Sequence, residues 1–372
     1  MSDSGRSLDP PERILMGPGP SNVSPRVMRA MTAPVVGHLD PYFFEVMDEN
    51  QRGLRRLFNT QNELTFPISG TGTAGMETAL VNLLESGDEI IVGIIGYFGA
   101  RIAEMAERLG AVVHRIDPPW GQIVEPEQIE SALERTDAKV VALIHAETST
   151  GVEQPLREIG ELVRAHDALF VVDTVCSLGG VPVEVDANHI DFSFSGSQKC
   201  LSAPPGLAPI TVGERALRKI VSRRTPVGSF YLDLVLLERY WGEQRLYHHT
   251  TPITMNYALH EALQLIEAEG LEARFERHRR VSRLLREGLE DLGFRLFAPE
   301  GYRLPPLTTA LLPDGVDDLR VRKALLERYH LEVGGGLGTL AGKVWRIGLM
   351  GHTAQERNVS YALAAIEAVI RK

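Results

Sequence analysis

The chain has 372 residues, 49 of them acidic (Asp and Glu) against 39 basic (Lys and Arg), a formal net charge of −10. That balance, with no basic stripe, excludes nucleic acid as a partner, while 44% hydrophobic and 24% charged residues describe an ordinary folded protein rather than a disordered or fibrous one. The length exceeds what one hydrophobic core serves, so a large domain and a smaller one are expected.

The polar N-terminal tail carries Asp3, Asp9 and Glu12 and no apolar signal core. No apolar run of membrane-spanning length follows, which predicts a cytoplasmic protein with no membrane segment. In residues 14–22 the alternation of Pro and Gly forbids helix and strand alike and predicts an ordered loop, its bare backbone at Gly17 and Gly19 open to a ligand carboxylate. From Tyr42 to Phe58 the apolar residues Phe43, Val46, Met47, Leu54, Leu57 and Phe58 recur at helical spacing. Residues 64–69 read as a strand running into Gly70-Thr71-Gly72-Thr73-Ala74-Gly75 and a helix with Met76, Leu80, Leu83 and Leu84. This is formally the dinucleotide fingerprint, but that fingerprint also needs an acid at the end of the second strand. Residues 89–93 carry their acid at the start and end in glycine. Glycines and the hydroxyls of Thr71 and Thr73 at a helix N-terminus instead make an anion site suited to one phosphate.

Further on, Gly96-Tyr97-Phe98-Gly99 leads into a helix, and residues 112–113, 139–144 and 168–172 are short apolar strands between helical segments. The pattern predicts an α/β fold with a mostly parallel sheet covered on both faces, whose ligands sit at the carboxyl ends of the strands. Those ends carry Phe98, the cluster His145-Ala146-Glu147-Thr148-Ser149-Thr150-Gly151, Asp173-Thr174-Val175, and Ser195-Gly196-Ser197-Gln198-Lys199. Pro204-Pro205-Gly206 stops any helix after the lysine. Residues 215–246 show no firm period, 247–252 form an aromatic and polar loop, and a helical pattern through Leu259, Leu263 and Ile266 leads to strands at 294–297, 308–312 and 344–348 and a last helix near Thr353. We expect an N-terminal arm (1–22), a large domain (23–265) and a smaller α+β C-terminal domain (266–372). The two cysteines, Cys176 and Cys200, lack CxxC spacing and suggest neither a disulfide framework nor a metal site.

A phosphate cradle, a flat aromatic, a strand-end carboxylate and a lysine together describe a site for pyridoxal 5'-phosphate. Lys199 is the candidate Schiff-base lysine and proton carrier, Asp173 the partner of the pyridine nitrogen, Phe98 the stacking ring, and Thr148 a hydroxyl for the phenolic oxygen. Arg346, inside an otherwise apolar strand, must find an anion, and a planar guanidinium matches one substrate carboxylate.

These stretches resemble the class V aminotransferases of fold type I, in particular the alanine-glyoxylate and serine-pyruvate aminotransferase family. The resemblance runs from Met16-Gly17-Pro18-Gly19-Pro20-Ser21-Asn22 through Ser195-Gly196-Ser197-Gln198-Lys199 and Tyr247-His248-His249-Thr250 to Arg346-Ile347-Gly348-Leu349. It implies a homodimer in which Tyr247 and Thr250 reach the cofactor phosphate of the other subunit. It further implies cofactor contacts from Thr71, Gly72, Thr73, Val175 and Gln198 in the same subunit, and a carboxylate clamp of Arg346 assisted by backbone near Gly19. The implied reaction is a ping-pong transamination with a small donor such as alanine or serine and glyoxylate or pyruvate as acceptor. Two positions depart from the family pattern: Phe98 stands where mammalian members carry tryptophan, and Thr148 where they carry serine. The sister activity, ureidoglycine-glyoxylate aminotransferase, would read its substrate amide near His38 and Asn256, and its pattern has glutamine where His38 stands. Cysteine desulfurase fits less well, because both cysteines abut the lysine region rather than a distant loop.

Overall fold

The computed structural model describes residues 8–371; Asp3 lies outside them. At its centre is a seven-stranded sheet in the order Leu64–Ser69, Leu207–Val212, Phe192–Phe194, Leu169–Asp173, Val140–Ile144, Glu89–Gly93, Val112–Ile116. Only Leu207–Val212 runs against its two neighbours. The others share one direction, so their carboxyl ends lie along one edge.

Strands Val140–Ile144 and Leu169–Asp173 are buried at every position, which is why they read as unbroken apolar runs. Alternate residues serve opposite faces. Ile90, Val92, Val140 and Ala142 join one hydrophobic cluster, while Ile91, Val141, Phe170 and Val172 join the other. The Ile, Val and Phe side chains among them contribute about 1.5–3 kcal/mol each on full burial. Helix Pro41–Phe58 begins with proline at its first position and Asp40 as cap, the Asp40 carboxylate accepting from the Tyr42 N–H at 2.9 Å. It packs along Ile253–Glu269, with Gly53 giving the Leu263 side chain room.

A second sheet, antiparallel, has the order Arg295–Leu296, Leu307–Leu311, Val344–Gly348, Gly334–Gly335. Helices Leu271–Asp291, Asp318–Tyr329 and Glu356–Ile370 complete its core around Trp345.

The structure differs from the sequence expectations in three places. Ile14–Leu15 is a strand, pairing in parallel with Leu331–Glu332 through Ile14 N–H to His330 (2.8 Å) and Met16 N–H to Glu332 (3.0 Å). Two residues suffice there because Pro and Gly begin only at Gly17. Residues 215–246, without a firm period in sequence, contain helices Glu214–Val221 and Leu234–Trp241. Each is eight residues long and buries only a few side chains, too few for a period to stand out. The last helix starts at Glu356, after a 3₁₀ turn at Gly351–Thr353. Among the described residues no helix is long and apolar enough to cross a membrane.

Candidate active site

The loops that follow the parallel strands enclose a cavity of about 180 Å³. Nine residues singled out in the sequence line it: Thr71, Gly72 and Thr73 at one end, Phe98 and Thr148 along the wall, and Asp173, Val175, Gln198 and Lys199 opposite.

The lysine loop is held from two sides. Ser195 and Ser197 prolong the pairing of the sheet, donating from N–H to Pro209 (2.7 Å) and Leu207 (3.0 Å). The chain then turns, with Ser202 N–H donating to the Lys199 carbonyl at 3.0 Å and Ser197 Oγ to the Pro204 carbonyl at 2.6 Å. From the N-terminal arm, Ser21 donates its N–H to Gln198 (2.9 Å) and its hydroxyl to the Lys199 carbonyl (2.8 Å). Lys199 Nζ itself donates to the Pro18 carbonyl. Gly19 crosses directly over this side chain at φ 105°, and a Cβ there would fall 2.5 Å from Nζ. Glycine is therefore required twice over, by conformation and by space. Burial holds the Lys199 amine below its ordinary proton affinity, and the positive charge of Arg346 pushes the same way.

At the phosphate end, helix Gly72–Leu83 begins with Thr71 as cap, whose side chain makes no capping bond, and its first turn has no acid. The free N–H groups and the dipole of that terminus suit an anion. Gln198 reaches the same end, where its amide NH₂ can donate to a phosphate, while its buried Oε1 has no partner among the described residues. Asp173, the last residue of the central strand, is 4% exposed and is the sole acid among the described residues of the cavity wall. Burial pushes its carboxyl up to about 7, against a hydrogen bond from the Val175 N–H (2.8 Å) and with the nearby charge of Glu147 adding to the rise. A protonated ring nitrogen is the partner such a carboxylate lacks. The amine, carboxylate, aromatic wall and anion cradle thus fit pyridoxal phosphate.

Arg346 lies just beyond the wall. Its Nε donates to the Gly335 carbonyl at 2.7 Å and its Nη1 to the Thr148 carbonyl at 3.4 Å. It is 8% exposed and pairs with no carboxylate among the described residues, which leaves most of its five donors for another anion. Tyr247 and Thr250 are not brought into this cavity: both are exposed, Tyr247 by 61%, with its ring 5.1 Å from that of His38. Asn256 is fully buried, donating to the Pro252 carbonyl at 3.0 Å and accepting from Asn50.

Three residues near the site are given no role there by the sequence. Arg101 sits one turn beyond Phe98 in helix Tyr97–Arg108, its guanidinium 5.0 Å from that ring's centre; helical spacing from Phe98 is the signal that finds it. Cys176 also lines the cavity, and its carbonyl accepts from Cys200 Sγ at 3.2 Å. Glu147 lies directly behind the wall and is taken up below.

This fold and cavity define a pyridoxal phosphate enzyme of fold type I. The family model for aminotransferase class-V matches residues 15–356, and the chain belongs to the class V aminotransferases: it is a pyridoxal phosphate-dependent transaminase. The crystal structure of alanine--glyoxylate aminotransferase from Nostoc sp. superposes with a TM-score of 0.97 at 49% identity, covering 100% of both chains. The (S)-ureidoglycine--glyoxylate transaminase of Bacillus subtilis is 44% identical over 98% of this chain and 92% of its own. The alanine--glyoxylate aminotransferase of Drosophila melanogaster is 42% identical over 98% and 94%.

Proposed function

We propose that the enzyme transfers the amino group of a small monocarboxylic amino acid, alanine or serine, to glyoxylate or pyruvate. The observation that carries this is Arg346, a buried guanidinium beside Thr148 with no carboxylate partner among the described residues, a match for a single substrate carboxylate. The relatives named for alanine and glyoxylate point the same way.

When bound, pyridoxal phosphate supplies the electron sink that lets an amino acid release its α-proton. The chain does the rest. Thr71, Gly72, Thr73 and Gln198 bind the phosphate. Phe98 would pack against the ring and, with Val175 across the cavity, exclude water. Thr148 would hold the phenolic oxygen, and Asp173 would keep the ring nitrogen protonated. Lys199, its proton affinity lowered by burial, would anchor the aldehyde and, once the substrate amine has displaced it, would take and return the α-proton at Nζ. Arg346 and the backbone at Gly19 orient the substrate.

A donor-by-acceptor panel tests the substrates. Alanine or serine with glyoxylate should turn over fastest, and comparable rates with aspartate or glutamate would sink the assignment. Arg346→Leu should cost about 2–3 kcal/mol, on the order of 30–150-fold in kcat/KM, for every carboxylate donor. The ureidoglycine reading is kept as second because of the Bacillus subtilis relative; turnover of ureidoglycine above that of alanine would put it first. The buried amide of Asn256 already has its partners in the chain, which favours the first.

The proposed assembly is a homodimer in the cytoplasm, each chain built of an arm (1–22), a large domain (23–265) and a small one (266–372). Tyr247 and Thr250 would contact the other subunit's phosphate. Their exposure supports this, as do the exposed Val35, Phe230 and Leu246, and both cysteines are free and buried. Mixing inactive Lys199→Ala with a Tyr247→Ala, Thr250→Ala double variant checks it. Shared sites restore up to about a quarter of the activity per mixed dimer population, since half of each heterodimer is intact; sites complete within one chain restore none.

A further inference from the structure

We propose that Glu147 is a positioning residue for the cofactor ring, tying the aromatic wall at Phe98 and the Thr148–Ser149 loop into one rigid frame. It lies at the end of the strand pair Ala146–Glu147 and Val152–Glu153 and is 0% exposed. Its carboxylate takes four hydrogen bonds from two separate segments. Oε1 accepts from the Ser149 N–H (2.9 Å) and hydroxyl (2.7 Å), and Oε2 from the N–H groups of Phe98 (3.0 Å) and Gly99 (3.4 Å).

Helix Tyr97–Arg108 has Gly96 at its cap position, with no side chain of its own to satisfy the first N–H groups. Glu147 supplies that cap from outside the helix, and Ser149 Oγ accepts the remaining Tyr97 N–H at 2.9 Å. The negative charge also faces the positive end of the helix dipole. Gly96 is the slot through which this happens: a Cβ there would lie 2.6 Å from Glu147 Cγ and 2.7 Å from Cδ. Phe98 is the second residue of the helix, so the helix start sets where its ring stands. Thr148 is the residue next to Glu147, so the same carboxylate fixes both Phe98 and Thr148 along that wall. Burying a charge is costly unless it is fully hydrogen-bonded, and here burial raises the Glu147 carboxyl while the four donors hold it down.

The role rests on Phe98 being the face that covers the ring, and the test separates the two. In Glu147→Gln the amide keeps one accepting oxygen for four donors, so either the Ser149 pair or the Phe98–Gly99 pair meets an NH₂ group. Apo-protein carrying this change should bind pyridoxal phosphate at least about tenfold more weakly, equivalent to about 1.4 kcal/mol, with a smaller visible circular dichroism per bound cofactor because the ring is less fixed. An unchanged dissociation constant and spectrum overturn the proposal. So does a lower apo melting temperature with unchanged cofactor affinity, which is the signature of a purely structural carboxylate. Should Glu147→Gln not fold, Ser149→Ala removes one donor and frees the Tyr97 N–H; it should weaken binding several-fold with the same loss of dichroism, and no change there overturns the proposal equally. Phe98→Leu is the companion variant. If it leaves affinity and dichroism untouched, Phe98 is not the ring face and both assignments fall; if it alters them while Glu147→Gln does not, only the role of Glu147 falls.

Discussion

Lys199→Ala should lower turnover by at least about 10³-fold, since proton transfer by a placed base alone contributes on the order of 10²–10⁴ and the anchor for the cofactor aldehyde goes with it. Cofactor binding should persist, because the phosphate cradle and aromatic wall remain, but the visible band should be that of the free aldehyde and move only on adding an external amine. Activity within tenfold of the parent would refute the assignment. The substitution also removes a buried amine whose charged form the fold disfavours. Its proton affinity is lowered on folding, so the penalty is present at neutral pH and relieved as pH rises toward the ordinary lysine value. The apo-protein of Lys199→Ala should therefore melt no lower than the parent at pH 7.

Asp173→Asn is the second large effect, about 10²–10⁴-fold in kcat, because the amide cannot hold a proton on the ring nitrogen. It carries a stability signature of its own. Burial raises the carboxyl from its ordinary 3.8 to about 7. A folded acid with raised affinity destabilises the fold as it ionises: the cost is absent below 3.8, grows as pH rises to about 7, and is constant above. Apo Asp173→Asn should therefore gain on the apo parent between pH 4 and pH 7, read as a widening gap in melting temperature. A gap that stays flat or narrows over that window would show that Asp173 is ionised comfortably without the cofactor.

Much of the fold was legible in local pattern. The runs at Val140–Ile144 and Leu169–Asp173 are apolar throughout because both faces of the sheet are covered. Phe98, Thr148, Asp173 and Lys199 were legible for a related reason: each ends or closely follows a parallel strand, and parallel strands deliver their ends to one edge. Ile14–Leu15 was not, since its hydrogen bonds come from His330 and Glu332 at the far end of the chain. Nor were the helices Glu214–Val221 and Leu234–Trp241, whose two turns offer too few repeats.

Glu147 marks where local pattern stops. Glu147 stands in a polar run whose neighbours look equally suited to chemistry, and only the approach of residues 96–99 shows which carboxylate caps a helix. Taken alone, the sequence determined the mostly parallel α/β class, the pyridoxal phosphate cofactor and the transaminase chemistry, and singled out Lys199 for it, because short-range periodicity and strand-end residues are local properties of the chain. The tertiary structure decided that Pro18 receives the Lys199 amine, that Arg346 keeps donors for another anion beside Thr148, and that one carboxylate braces both the start of the Phe98 helix and the Thr148–Ser149 loop. Those relations join residues 48 to 198 positions apart, and no periodicity records a distance that only packing sets.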